Sequence, residues 1–201
     1  MKLSVIICVY NTPREYLDKC LSSITNSTLS LGEYEICIVD DGSSEDYSDL
    51  VGKYGAVYRK HENQGILYSR ICGIEMAKGD YVTFVDSDDT VSVNYHYPML
   101  TESENADIVV NDWAFHTEKC KYFCTTDDLT SGDVSKFGDD VLAFFLAGEG
   151  RQHSRFVLWN KAFRSDVIKR VFSRKQNFTN SLGNFTATRL TGENMRNTFF
   201  G

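Results

Sequence analysis

Short apolar runs alternate with amphipathic helical stretches through the first 90 residues, and no other feature of the chain narrows the fold as far. Leu3 to Val9 is a nearly continuous apolar run, as expected of a parallel strand buried on both faces. Thr12-Pro13-Arg14-Glu15 reads as a capping box with proline at the first helical position, and Leu17, Leu21 and Ile24 follow at the spacing of an apolar helix face. Tyr34 to Val39 reads as a second strand, Asp40-Asp41-Gly42-Ser43-Ser44 as a turn, and a helix continues to about Tyr54. Ala56 to Lys60 is a short third strand, and Gln64 to Lys78 a helix carrying Leu67, Ile71 and Ile74 inward. Gly79-Asp80 stops that helix, and Tyr81 to Val85 is a fourth strand. This alternation predicts βαβ units and an α/β fold with a mostly parallel central sheet flanked by helices.

After residue 90 the pattern changes. Pro98 to Asn105 reads as helix, Ala106 to Val110 as strand, and Trp113 to Thr125 as one or two extended segments. Asp139 to Ala147 reads as a short apolar helix, Phe156 to Phe163 as a strand, and Ser173 to Arg189 as a polar loop or mobile segment. A chain of 201 residues fits one domain.

The net charge of −7 argues against a nucleic-acid partner. The six cysteines form no CxxC pair, and the reading is reduced thiols in a cytosolic protein. His116, Cys120 and Cys124 make a partial zinc set with no fourth ligand evident nearby. No apolar stretch approaches the roughly 20 residues of a membrane span. The apolar run in "MKLSVIICVYN" is too short for a secretory signal.

In an open α/β sheet, ligands bind beyond the carboxyl ends of the strands. Those ends are Val9-Tyr10-Asn11, Asp40-Asp41, His61-Glu62-Asn63 and Asp86-Ser87-Asp88-Asp89, and three of the four carry acid. The turn after the first strand, "CVYNTPRE", has no glycine, and the chain has no GxxxxGK[ST], so dinucleotide-binding oxidoreductases and P-loop NTPases are excluded. An EF-hand starting at Asp86 fails at Val91 and Tyr97, where glycine and glutamate are required. Mg²⁺ or Mn²⁺ shared between Asp86, Asp88 and a substrate diphosphate explains three carboxylates on a strand end better than a solvated acidic turn does.

The segments "SVIICVYN", "CIVDDGSSED", "ENQGILYSRICGIEMAKGDYVTFVDSDD" and "VLWNKAFRSDVI" resemble the successive motifs of family 2 glycosyltransferases, in their order. The resemblance covers residues 1 to 90, and 155 to 200 more weakly. It implies the GT-A fold as a single domain over 1–201, with a nucleotide-binding half in 1–90 and an acceptor-side half in 91–201. It implies transfer, with inversion, of a hexosyl or N-acetylhexosaminyl group from a nucleotide-diphosphate sugar, a uridine one, to a carbohydrate or lipid-linked acceptor in surface polysaccharide synthesis.

By the same resemblance, Val9 and Tyr10 mark the nucleoside end of the first strand, and Asp41, with Asp40, accepts a hydrogen bond from the base. Arg70 matches the arginine of N-x-G-x-x-x-A-R and faces the nucleotide, with Ser69 in place of the alanine. Asp86 and Asp88 match the DxD, Asp88 as direct ligand of Mn²⁺ or Mg²⁺, and Ser87 between them belongs to the nucleotide side. Asp89 lies behind the ligands or against the sugar. Trp159 either stacks on a sugar or fills the core.

Two departures stand out. Cys8 occupies a position where the family usually has proline. In "TGENMRNTFF" the expected Glu-Asp is Glu193-Asn194, and an amide at the place of the general base cannot accept the acceptor's proton. Either Glu193 or another carboxylate substitutes, or activity is reduced, or Asn194 is a deliberate substitution that traps a complex; a nucleotide-sugar-binding scaffold without transfer is the second reading. A nucleotidyltransferase is a distant third reading, because it needs a Gly-rich basic loop after the first strand. The chain stops at Phe199-Phe200-Gly201, where family members continue into acceptor-binding or membrane-associating helices. The resemblance thus implies truncation at the C-terminus and a cytoplasmic protein, placed at the inner face of the plasma membrane by the missing region.

Overall fold

The computed structural model describes residues 2–27, 32–96, 107–110, 113–117, 120–124, 158 and 161–170. β1 (Leu3–Val9) forms where the sequence puts it, because its apolar side chains find cover on both faces: Leu3, Val5, Ile6, Ile7 and Val9 are all buried. β2 (Tyr34–Asp40) runs parallel to it in register from Leu3 opposite Tyr34 to Val9 opposite Asp40. β3 (Val57–Lys60) adds outside β2, and β4 (Tyr81–Phe84) pairs with the other side of β1. Two further strands complete the sheet in antiparallel sense: β8 (Lys161–Arg164) pairs with β4, and β5 (Ile108–Val110) pairs with β8. The order is β3-β2-β1-β4-β8-β5. The Thr83 hydroxyl donates to the Lys161 carbonyl at 2.8 Å, reinforcing the β4–β8 seam.

The helices follow the strand–helix alternation, with corrections. α1 (Arg14–Thr25) buries Leu17, Cys20, Leu21 and Ile24, the predicted stripe. Its N-cap is Pro13 with no side-chain cap, so the capping box does not form. The Thr12 hydroxyl is engaged elsewhere, with Ser87. α2 (Ser48–Tyr54) ends at Gly55 in the left-handed conformation. α3 (Ile66–Met76) is shorter than expected, and its buried face is Ser69, Cys72, Gly73 and Ile74. Leu67 and Ile71 are only half-buried. The reason is Gly73: a Cβ there would stand 2.4 Å from Cγ2 of Ile6, so the helix leans on β1 through its smallest residue.

The chain divides into two units. One comprises Met1–Asn111 with Leu158–Ile168 and holds the six-stranded sheet. The other comprises Asp112–Val157 with Lys169–Gly201. Its described part is an antiparallel hairpin of β6 (Trp113–Thr117) and β7 (Cys120–Cys124), so the segment expected as one or two extended stretches is two strands. The helices expected at 98–105 and 139–147 and the loop expected at 173–189 lie outside the described residues. Of the strand expected at 156–163, Leu158 is a bend and the strand observed is β8, Lys161–Arg164.

One polar side chain sits awkwardly in the core of the first unit. His96 is fully buried with neither ring nitrogen hydrogen-bonded, and burial pushes its imidazole down to about 4. Between about 6.5 and about 4 the unfolded chain binds a proton that the folded chain does not. This group therefore lowers stability as pH falls through that window and costs nothing further above it. Substituting His96→Leu should raise stability near neutral pH by about 1–3 kcal/mol by removing unsatisfied polar atoms. It should also add about 2 kcal/mol more near pH 5, read as the difference between urea denaturation curves at the two pH values.

Candidate active site

The order β3-β2-β1-β4 places the topological switch between β1 and β4, where a crevice opens beyond the strands' carboxyl ends. Four loops meet there. Asn11, after β1, takes the left-handed conformation at φ 49°, which an asparagine side chain tolerates. Its Oδ1 accepts the Ser44 N–H at 2.9 Å, and its own N–H donates to Ser43 Oγ at 2.9 Å. The loops after β2 and β3 abut at Gly42, whose φ is 83° and where a Cβ would lie 2.8 Å from the Asn63 nitrogen. Thr12 Oγ1 and Ser87 Oγ pair at 2.7 Å, joining the exit of β1 to that of β4.

These loops enclose a cleft of about 380 Å³, the size of a small-molecule site. Its wall comprises Cys8, Val9, Tyr10 and Thr12 from β1 and its exit, Asp41 after β2, Asn63, Gly65, Ile66 and Ser69 from the entry to α3, and Asp86, Ser87 and Asp88 after β4. Of the residues singled out in the sequence, Val9, Tyr10, Asp41, Asp86, Ser87 and Asp88 are thus brought together. Asn63 belongs to the third of the strand ends read in the sequence; Thr12, Gly65 and Ile66 were not foreseen, and their positions after β1 and at the entry to α3 were the available signal.

Asp40 is separated from its neighbour. Fully buried at the end of β2, it accepts hydrogen bonds from the Ser43 N–H and the Tyr58 hydroxyl, each at 2.7 Å, with Lys60 Nζ 3.4 Å away. Burial pushes its carboxyl up, but the Ser43 and Tyr58 donors and Lys60 outweigh it and hold the group below the usual carboxylate range. Asp40 is therefore a loop anchor off the cleft wall. Asp41 does line the cleft, and its two oxygens accept the Gln64 N–H at 2.8 Å and the Gly65 N–H at 2.9 Å. It thereby anchors the entry to α3, whose N-cap is Gly65.

The opposite end of the cleft has the reverse electrostatics. Burial pushes the Asp86 carboxyl up, the Arg70 guanidinium works against this, and Asp88 reinforces it. Asp89 is raised by partial burial and by Asp86 and Asp88. Arg70 is off the cleft wall, but its charge reaches Asp86 and Cys8. The Cys8 thiol is pushed up to about 12 by burial and is not a nucleophile at neutral pH. Among the described residues no three His, Cys, Asp or Glu side chains form a complete metal cage. Asp86 and Asp88, which carry no ion pair or side-chain hydrogen bond among the described residues, could instead hold Mg²⁺ or Mn²⁺ that would take its remaining ligands from water and substrate phosphate. Trp159, Glu193 and Asn194 lie outside the described residues.

Comparison with known proteins places this cleft in a family. The model of "Glycosyl transferase family 2" matches residues 4–172. Glycosyltransferase GlyA of Streptococcus pneumoniae is 32% identical over 183 residues, covering 85% of this chain and 25% of that protein. The cholesterol galactosyltransferase of Borreliella burgdorferi is 30% identical over 192 residues, covering 88% of this chain and 51% of that one. The chain thus spans about half or less of the length of these relatives. Residues 1–349 of S. aureus TarS superpose with a TM-score of 0.60 at 20% identity, over 84% of this chain and 48% of that 1–349 chain. The sheet is that of the GT-A fold. No described helix is long and apolar enough to cross a membrane. With its motifs, its fold and its family match in agreement, this chain belongs to glycosyl transferase family 2.

Proposed function

We propose that this chain transfers a hexosyl or N-acetylhexosaminyl group from a uridine-diphosphate sugar to an acceptor hydroxyl, with inversion, in the assembly of a surface polysaccharide. The observation that carries the reading is the polarity of the cleft. One end presents Asp41, a carboxylate held in place by backbone N–H groups; the other presents Asp86 and Asp88, carboxylates with no ion pair or side-chain hydrogen bond among the described residues. A base with an N–H donor suits the first, and a diphosphate bridged by a cation suits the second. Structures of TarS with UDP and with UDP-GlcNAc, and of a mannosyltransferase from Pyrobaculum calidifontis with GDP-Man and Mn²⁺, support such a donor.

In this reading Asp41 accepts the base N–H, and the β1 exit at Val9 and Tyr10 flanks the nucleoside. Asp86 and Asp88 would hold Mn²⁺ or Mg²⁺, which would supply positive charge to neutralise the departing diphosphate. Thr12 and Ser87 offer hydroxyls at the phosphate end. The acceptor oxygen bonds to the anomeric carbon from the face opposite the leaving group, and the anomeric C–O bond breaks with its electron pair going to the diphosphate. The acceptor's proton passes to a carboxylate, for which Glu193 is the candidate beside Asn194. The single-domain organisation, the roles of Asp89 and Trp159, and a location at the inner face of the plasma membrane with a lipid-linked or carbohydrate acceptor belong to the same reading. Asn194 also favours a second one, a nucleotide-sugar-binding scaffold that does not transfer.

UDP with Mn²⁺ should raise the thermal midpoint, by about 2.7 kcal/mol of stabilisation at 100 times the dissociation constant. Asp88→Asn should abolish the Mn²⁺-dependent part; no shift in the parent protein would refute the donor reading. Without metal, Asp86 is a burden, because its raised carboxyl pKa means that stability falls as pH rises from the unfolded value to the folded one. Asp86→Asn should therefore stabilise the metal-free protein at neutral pH by about 1 kcal/mol while losing the metal response, a trade visible in paired melting curves. If Asn194 stands at the base position, Asn194→Asp should raise transfer from UDP-sugars at least tenfold over the parent chain. Donor binding with no transfer by either form favours the scaffold.

A further inference from the structure

Asp41 is backed by a side chain that the proposed donor chemistry does not use. His61, largely buried, places Nδ1 3.4 Å from Asp41 Oδ1. The same Nδ1 lies 2.7 Å from the Glu62 carbonyl oxygen, which can only accept, so in the neutral ring Nδ1 carries the hydrogen. Nε2 is then the acceptor, and the Ser69 hydroxyl, 3.3 Å away and fully buried on α3, donates to it. Tyr68 packs edge-on against the imidazole at 4.9 Å. The ring is therefore fixed on three sides, with its Nδ1–H donated to the Glu62 carbonyl and its Nδ1 edge packed 3.4 Å from Asp41 Oδ1. Each Asp41 oxygen has already accepted one backbone N–H, from Gln64 or Gly65, and keeps a lone pair for the cleft.

We infer that His61, locked by Ser69, is a positioning residue: it holds the Asp41 carboxylate at the orientation that receives the nucleobase N–H. This rests on the proposed donor reading. Truncating the imidazole leaves room for the carboxylate to rotate, which loosens the base end of the site and leaves the Asp86–Asp88 end untouched. Ser69 lines the cleft, and in this proposal its hydroxyl acts on Asp41 through His61. Where the family pattern has alanine, this chain has added a hydroxyl whose reach is the ring and, at 3.5 Å, the Gly65 carbonyl.

The test is a double-mutant cycle on UDP affinity, measured by calorimetry with Mn²⁺, beside inorganic pyrophosphate with Mn²⁺ as a probe of the phosphate end alone. His61→Leu should weaken UDP about tenfold and Ser69→Ala about threefold, magnitudes typical of one or two hydrogen bonds, with pyrophosphate affinity unchanged in both. Adding Ser69→Ala to His61→Leu should cost nothing more, the non-additivity expected of residues acting in series. His61→Asn, whose side-chain amide can again donate to the Glu62 carbonyl and fill the space beside Asp41, should recover most of the lost affinity. Additive losses, equal losses for UDP and pyrophosphate, or no recovery with asparagine would overturn the positioning role. Failure of the parent protein to bind UDP, with pyrophosphate still bound, would instead overturn the donor reading beneath it.

Discussion

The burial of β1 on both faces, between β2 and β4, is the constraint on which the rest of the sheet and its cleft depend. A strand covered above and below must be apolar at nearly every position, and it must have parallel neighbours reached by helical crossovers. Because β2 lies on one side and β4 on the other, the chain leaves β1 at a point where its neighbours' exits diverge. The packing then transmits that geometry. Gly73 rests against Ile6, and a Cβ on Gly79 would lie 2.7 Å from the backbone of Leu3 and Ser4, so both α3 and the turn into β4 are seated directly on β1. The separation between the Val9 end and the Asp86 end of the cleft follows from this seating.

Much of this was legible in the sequence because it is carried by patterns the chain cannot disguise. An unbroken apolar run such as Leu3–Val9 has few fates, and a carboxylate cluster at the end of a buried strand has fewer. The readings that failed did so where a longer-range contact overrode a local one. Thr12 has the sequence setting of a helix cap, yet its hydroxyl pairs across the sheet with Ser87, a partner 75 residues away. Leu67 and Ile71 have the spacing of a core stripe, but the helix turns its glycine to the sheet because that allows the closest approach. Asp40 and Asp41 are indistinguishable in sequence. Only the register, in which Asp40 ends β2 opposite both Val9 of β1 and Lys60 of β3, shows that one is inside the sheet and the other past its edge. The link from Ser69 through His61 to Asp41 depends on how α3 docks, and no periodicity reports it.

The contrast between Asp40 and Asp86 separates framework from chemistry. Both are carboxylates at strand ends, and both are penalised by burial. Asp40 is surrounded by donors and a lysine that more than offset the penalty, as expected of a group whose task is to hold a loop. Asp86 has only the distant influence of Arg70 against a second carboxylate, and the fold leaves it in an unfavourable state. A protein tolerates such a group where something absent from the folded chain alone relieves it.

The paired hydroxyls of Thr12 and Ser87 have one consequence of their own. Either oxygen can be the donor, so the link between the two strand exits survives a reversal of its direction. Whichever hydroxyl accepts keeps its own hydrogen to offer to an anion in the cleft, and the choice can switch without any heavy atom moving. The crevice thus has a self-adjusting electropositive point at its floor, available to whichever oxygen arrives.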